Sequence, residues 1–385
     1  MLESLCLMPP KLGQVRRGVA PARTEMMVAR SVGDPVSLPM PLFWDSPPWH
    51  QWTPVVAACL FEAMQSRGIL VSALRSELGI HGELGLHGES GLHGDPPGEA
   101  GGNGQTGLQG QVGGNDSRRS PRMLPYRNER YGLSTADFDN VSVVDLQLSP
   151  PRDVSGRIAY SPEQIGRWEA TSEDQPLSGG GWVPAMTLPP DVPSADHLRS
   201  KVHQLRVLCP QSAVIVSVTP EWIDESLPWL VAAAPDAILI RMGQMRMDGL
   251  SLAQFTLRVI DKMEATDRIP VWLTPPKSMQ RRSLSVSDSI KMIALGVSAI
   301  AINCWLGDLI DEIDEIPPPS SFAADPHSKT MVSVDEVLQR LLDPRLEHFE
   351  GLYSSLIHDH PRELLGTFDP DIARQLNLRC VGQFR

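Results

Sequence analysis

Eight apolar stretches of strand length, mostly separated by segments of helical period, predict an α/β chain. The expected fold is a (β/α)8 TIM barrel with a helical C-terminal extension and a long disordered insertion after strand 2. Three observations carry this expectation. The Val/Ile-rich stretches are continuous rather than alternating, as in parallel strands covered on both faces. The 385 residues are enough for a barrel of about 250 residues plus insertions. Gly (31) and Pro (35) are abundant while aromatics make up 5%, which points to long loops between the core elements.

Residues 1–37 have no apolar run of signal-peptide length ahead of their basic residues and read as a poorly ordered leader. The barrel is expected over 38–305. Its first strand is LPMPLFW (38–44), despite the prolines. Thr53-Pro54 then opens a helix that runs to Gly68, because Thr is a good N-cap and Pro suits the first helical position. ILVSAL (69–74) is the second strand.

Residues 77–121 are Gly, Ser, Asn, Gln and Pro with few core formers. They bury too little apolar area to offset their ordering entropy and read as a disordered insertion. Within it, GIHGELGLHGESGLHGD (79–95) repeats a six-residue unit that gives His81, His87 and His93 identical surroundings. Three coils with one Ile or Leu each do not stack into a β-helix, and no rigid element gathers the histidines around a metal. A short duplication that lengthened a loop is the simpler reading.

VSVVDLQL (141–148) is the third expected strand and GWVPAMTL (181–188) the fourth, with a short helix from Ser161 between them. Ser194 is placed to cap the next helix, with Asp196 in its first turn. Strands at 213–218, 236–242, 270–275 and 297–305 then alternate with helices at 221–234, 251–263 and 287–295. Residues 306–385 are expected to be a helical extension, broken at PPPSSFAADP and Pro344.

Lys plus Arg number 34 against 46 Asp plus Glu, a formal charge of −12, so general attraction to nucleic acid or an anionic membrane is disfavoured. No apolar run reaches about 18 residues. Five separated cysteines without a CxxC pair suggest neither a disulfide framework nor a thiolate zinc site, and fit a reducing cytoplasm.

In such a barrel, chemistry collects on the loops after the strand C-termini. RMGQMRMDGLS carries Gly243 and Gly249, and the loop after strand seven carries Lys277, Arg281 and Arg282, a basic trio suited to an anion or simply to solvent. Ser285 and Ser287 open a helix and are capping residues first. Asp145 and Gln147 share one face of their strand by period two, so an inward Asp is either a substrate-orienting group or a structural hydrogen-bond partner. Cys304 reads as a buried thiol, and His358 and His360 as residues at a helix end rather than metal ligands.

Several stretches occur in a familiar order: VSVVDLQLSPPRDVSG (141–156), TLPPDVPSADHL (187–198), APDAILI (234–240), SLSVSDSIKMIALGVSAIAIN (283–303) and LEHFEGLYSSLIHDHPRELLG (346–366). Together they resemble the FMN-binding domain of the glutamate synthase family, with Ala294-Leu295-Gly296 at the turn before its last strand. The resemblance implies an FMN-dependent oxidoreductase acting on a small amino or keto acid in glutamate biosynthesis. It places FMN near Lys277, Arg281, Arg282, Ser285 and Gly249 and leaves the catalytic residues unassigned.

The chain departs from the family where Gln147 and Ser217 replace lysines, Ser149-Pro150-Pro151 and Pro275-Pro276 replace glycines, and Pro189-Pro190 replaces two histidines. Cys304 stands alone where an iron-sulfur cluster needs three cysteines, so no cluster and no metal is expected, and no amidotransferase domain. These departures give the alternative expectation of a divergent paralogue. It would be a catalytically inactive barrel acting as a binding or scaffold subunit, with a protein partner or an active paralogue beside it.

Overall fold

A computed structural model describes residues 2–8, 25–79, 121–127, 133–148, 159–163, 165, 182–184, 191–243, 245, 247–264, 269–276, 284–316, 326–356 and 361–381. Eight parallel strands close into a barrel: β1 (Leu42–Trp44), β2 (Leu70–Ser72), β3 (Arg122–Tyr126), β4 (Val143–Gln147), β5 (Ala213–Val218), β6 (Ala237–Arg241), β7 (Val271–Thr274) and β8 (Ala299–Ala301). Each pairs with the next, and β8 returns to β1 through Ile300 opposite Leu42 and Ala301 opposite Phe43. The expected (β/α)8 architecture is therefore present.

Helix α1 (Pro54–Ser66) joins β1 to β2, and the Thr53 hydroxyl accepts the Val56 amide at its start, as Thr53-Pro54 predicts. Four more helices follow β4 to β7: α2 (Ala195–Leu208), α3 (Ile223–Ala233), α4 (Gly249–Glu264) and α5 (Val286–Leu295). Ser194 precedes α2, but its hydroxyl meets His197 Nδ1 at 2.7 Å instead of capping a backbone amide. Gly296 ends α5 at φ +120°, and a Cβ there would lie 3.3 Å from the Ile260 side chain, which explains the glycine at the Ala-Leu-Gly turn.

The membership of the barrel differs from the sequence expectation at two strands. Residues 122–126 form β3, whereas residues 183–184, expected in the fourth strand, pair antiparallel with Ala159–Tyr160 outside the barrel. β3 was hidden by Pro125 and by its lack of a Val/Ile run. The proline is tolerated because the Pro121 and Met123 carbonyls accept from Val71 and Ala73. By alternation position 125 also faces β2, beyond the last bridged pair Ser72 and Met123, where no partner needs its missing amide.

The barrel interior is apolar at the end where the strands begin. Trp272 and Phe43, with ring centroids 5.5 Å apart, lie among Leu70, Met123, Val143, Ile215 and Leu239, and four alanines, Ala213, Ala237, Ala299 and Ala301, make room for them. The two-stranded sheet of Met26–Val28 and Val36–Leu38 adds Val28 and Leu38 to this plug.

The leader expected over 1–37 is corrected on its described residues. Besides that sheet, Leu5–Leu7 pairs antiparallel with Leu365–Thr367, which pairs in turn with Arg379–Cys380. The C-terminal extension therefore combines helices α6 (Gly307–Asp314), α7 (Pro326–Leu341), α8 (Asp343–Ser355) and α9 (Pro370–Gln375) with a small sheet. Arg67 fixes α7 and α8 to the end of α1, donating to Asp335 Oδ1 at 2.8 Å and to both carboxylate oxygens of Asp343 at 2.6 and 3.1 Å.

The insertion expected over 77–121 falls outside the described residues from 80 to 120, and the three repeat histidines fall with it. Ser76–Leu78 form a single 3-10 turn, with Glu77 and Leu78 buried. Among the described residues no helix is long and apolar enough to cross a membrane.

Candidate functional site

The sequence places polar residues where the barrel strands end. Asp45 follows β1, Gln147 and Arg241 close β4 and β6, Thr274 closes β7, and Asn303 opens the turn after β8. Asp145 and Ser217 sit two and one residues before the ends of β4 and β5. Strand alternation turns Asp145 inward above Val143, and Ser217 inward above Ile215.

These residues converge on one guanidinium. Arg241 donates from Nε to Asp45 Oδ2 at 2.9 Å and from Nη2 to Asp45 Oδ1 at 2.8 Å, a bidentate fork. Nη2 also reaches Asp145 Oδ2 at 2.5 Å, and Nη1 donates to the Ser217 hydroxyl. The Thr274 hydroxyl donates to Asp45 Oδ2 at 2.8 Å, and the Ser46 hydroxyl to Asp45 Oδ1 at 3.1 Å. Gln147 Nε2 donates to Asp145 Oδ2 at 3.1 Å. Asn303 grips the backbone of Asp45 from both sides: its Oδ1 accepts the Asp45 amide at 3.1 Å and its Nδ2 donates to the Asp45 carbonyl at 2.6 Å.

Charge burial is the central electrostatic fact here. Asp45 is 3% exposed and Asp145 0%. Burial pushes the Asp45 carboxyl up, but the Arg241 charge, with hydrogen bonds from Arg241, Thr274 and Ser46, outweighs it and holds the pKa below the usual carboxylate range. Burial likewise lowers the Arg241 pKa, while Asp145 and Asp45 more than offset it and raise it above the ordinary arginine value.

A carboxyl with a depressed folded-state pKa contributes stability above its unfolded value, and that contribution is lost as pH falls through the folded one. The urea midpoint is therefore expected to decline as pH drops below the unfolded Asp value of about 3.9. Asp45→Asn should flatten that decline, and equal slopes for the two proteins would show that Asp45 is not its source.

The residues singled out from sequence are only partly brought to this site. Lys277, Arg281, Arg282, His358 and His360 lie outside the described residues. Gly249 is the buried first residue of α4, a helix start already held by Asp248, whose carboxylate accepts the Ser251 amide at 2.8 Å and the Ser251 hydroxyl at 2.9 Å.

Ser285 caps α5: its hydroxyl accepts the Asp288 amide at 3.1 Å, and Asp288 Oδ2 accepts the Ser285 amide at 3.2 Å. Asp288 Oδ1 also takes the Leu2 amide at 3.1 Å. Cys304 is buried, and burial pushes its thiol up to about 12, which leaves it protonated and unsuited to nucleophilic attack. Among the described residues no group of three or more His, Cys, Asp or Glu is arranged to hold a metal.

Sequence reasoning found Asp145, Gln147 and Ser217 but missed Asp45, Arg241 and Thr274. The available signal was a charged or hydroxyl residue closing an apolar run, in LFWD, ILIR and VWLT.

Fold and site define a (β/α)8-barrel protein with a charged, internally paired mouth. No protein-family model matches the chain, and no curated protein matches it.

Proposed function

We propose that this chain is a binding barrel of glutamate-synthase-like descent that works without flavin turnover. One observation carries the reading: at the strand ends Arg241 is locked between Asp45 and Asp145, so its charge is spent inside the protein and is not held out to a flavin. The helix starts of α4 and α5 point the same way: each carries a carboxylate, Asp248 holding the Ser251 amide and Asp288 holding the Ser285 amide, whose charge would repel a phosphate. Both carboxylates weigh against a phosphate of FMN at these two helix starts. The free state of all five cysteines agrees with a cytoplasmic protein. The partner of such a barrel is a small molecule or another protein.

A second reading keeps FMN-dependent amino or keto acid chemistry. It draws on Lys277, Arg281 and Arg282, which the sequence puts after β7, where barrels of this class commonly hold phosphate. The absorbance spectrum of the purified protein, before and after incubation with FMN and desalting, decides between the two. The binding reading expects no retained flavin. A flavin band near one equivalent per chain would overturn it and restore the oxidoreductase.

A further inference from the structure

Among the described residues, the cluster around Arg241 is incompletely paired at one atom. Asp45 is saturated, each carboxylate oxygen taking one bond from Arg241 and one from a hydroxyl. Asp145 uses only Oδ2, while its Oδ1 is buried and has no hydrogen-bond partner among the described residues. Two carboxylates face one guanidinium, so the cluster carries a formal charge of −1, and the uncompensated share falls on the uncovered oxygen. The neighbouring pair of Glu77 and Arg127, 2.8 Å apart, adds no net charge. A buried carboxylate oxygen without a donor is costly, and native interiors meet such atoms with a partner.

We propose that the barrel mouth binds a protonated primary amine whose ammonium group donates to Asp145 Oδ1. This names the ligand class for the binding reading above and rests on it. The charge selects a cation. An anionic ligand would meet Asp145 and find four of the five N–H groups of Arg241 already engaged. The compactness of the ammonium selects it over a guanidinium, because Arg241 already fills the planar slot between the two carboxylates. Gln147 is half-buried and held to Asp145 Oδ2 by one bond of 3.1 Å, so moving it would bare more of the carboxylate.

The test uses the full chain and two cations of equal charge. Methylammonium chloride should bind saturably by calorimetry and raise the melting temperature. Tetramethylammonium chloride, which has no N–H, should do neither. Asp145→Asn should weaken methylammonium binding about tenfold or more. If that variant does not fold, Gln147→Ala replaces it, since it leaves both charges in place and should tighten binding; unchanged affinity there overturns the proposal. An equal response to both cations, or none to either, overturns the amine site and leaves the binding reading standing. A retained flavin overturns the reading beneath it.

Discussion

Arg241→Met is expected to destabilise the chain by about 3–5 kcal/mol, because it leaves Asp45 and Asp145 buried with no counter-charge. That is a large part of the 5–15 kcal/mol by which a typical domain is stable. Much of the loss comes from stranded charge rather than from the intrinsic worth of the pair. The triple variant Arg241→Met, Asp45→Asn, Asp145→Asn should therefore recover most of it, since neutral amides need no cation. Arg241→Lys should fall between, because an ammonium cannot reproduce the fork to both oxygens of Asp45. Urea denaturation of the four proteins reads the series. A single-variant loss below about 1 kcal/mol would mean that the carboxylates are solvated and the network is ornamental.

Trp272→Ala carries the second large effect, about 3–5 kcal/mol, because it empties the middle of the interior plug. The ring is 1% exposed, and four of the residues in its cluster are alanines, which have no side chain to move into the gap. Trp272→Phe should cost clearly less, since it keeps an aromatic face against Phe43. The measurement is again the urea midpoint, with the denaturant slope checked for two-state behaviour. Equal losses for Ala and Phe would show that hydrogen bonding or geometry specific to tryptophan, rather than volume, sets the cost. The plug also supports the mouth directly, as Thr274 stands two residues beyond Trp272 on β7 and donates to Asp45.

The barrel was legible where burial on both faces leaves an unbroken Val/Ile run, as in AVIVSV and DAILI, because such runs have few other stable homes. It was illegible at β3, where RMLPY carries a proline that only the neighbouring strand's early end makes harmless. The site was half legible for a related reason. Period two puts Asp145 and Gln147 on one face within a single strand, so their bond is local and readable. Arg241 meets Asp45 across 196 residues and Asp145 across 96, and nothing local in ILIR says which acceptors it will find. Ser285 looked like a cap and is one, whereas the use of Asp288 to hold the Leu2 amide is a tertiary contact.

The reciprocal amide pair between Asn303 and the backbone of Asp45 bears on how the barrel is assembled in time. It joins positions 258 residues apart at the seam where β8 meets β1. Closing so long a loop costs chain entropy before any contact repays it. Shorter βα units would form first, and the ring would shut last, with the Asn303 clasp as its final stitch. Until then the edges of β1 and β8 lie open to pairing with another chain, so the seam sets the interval in which a growing molecule is most exposed to misassembly.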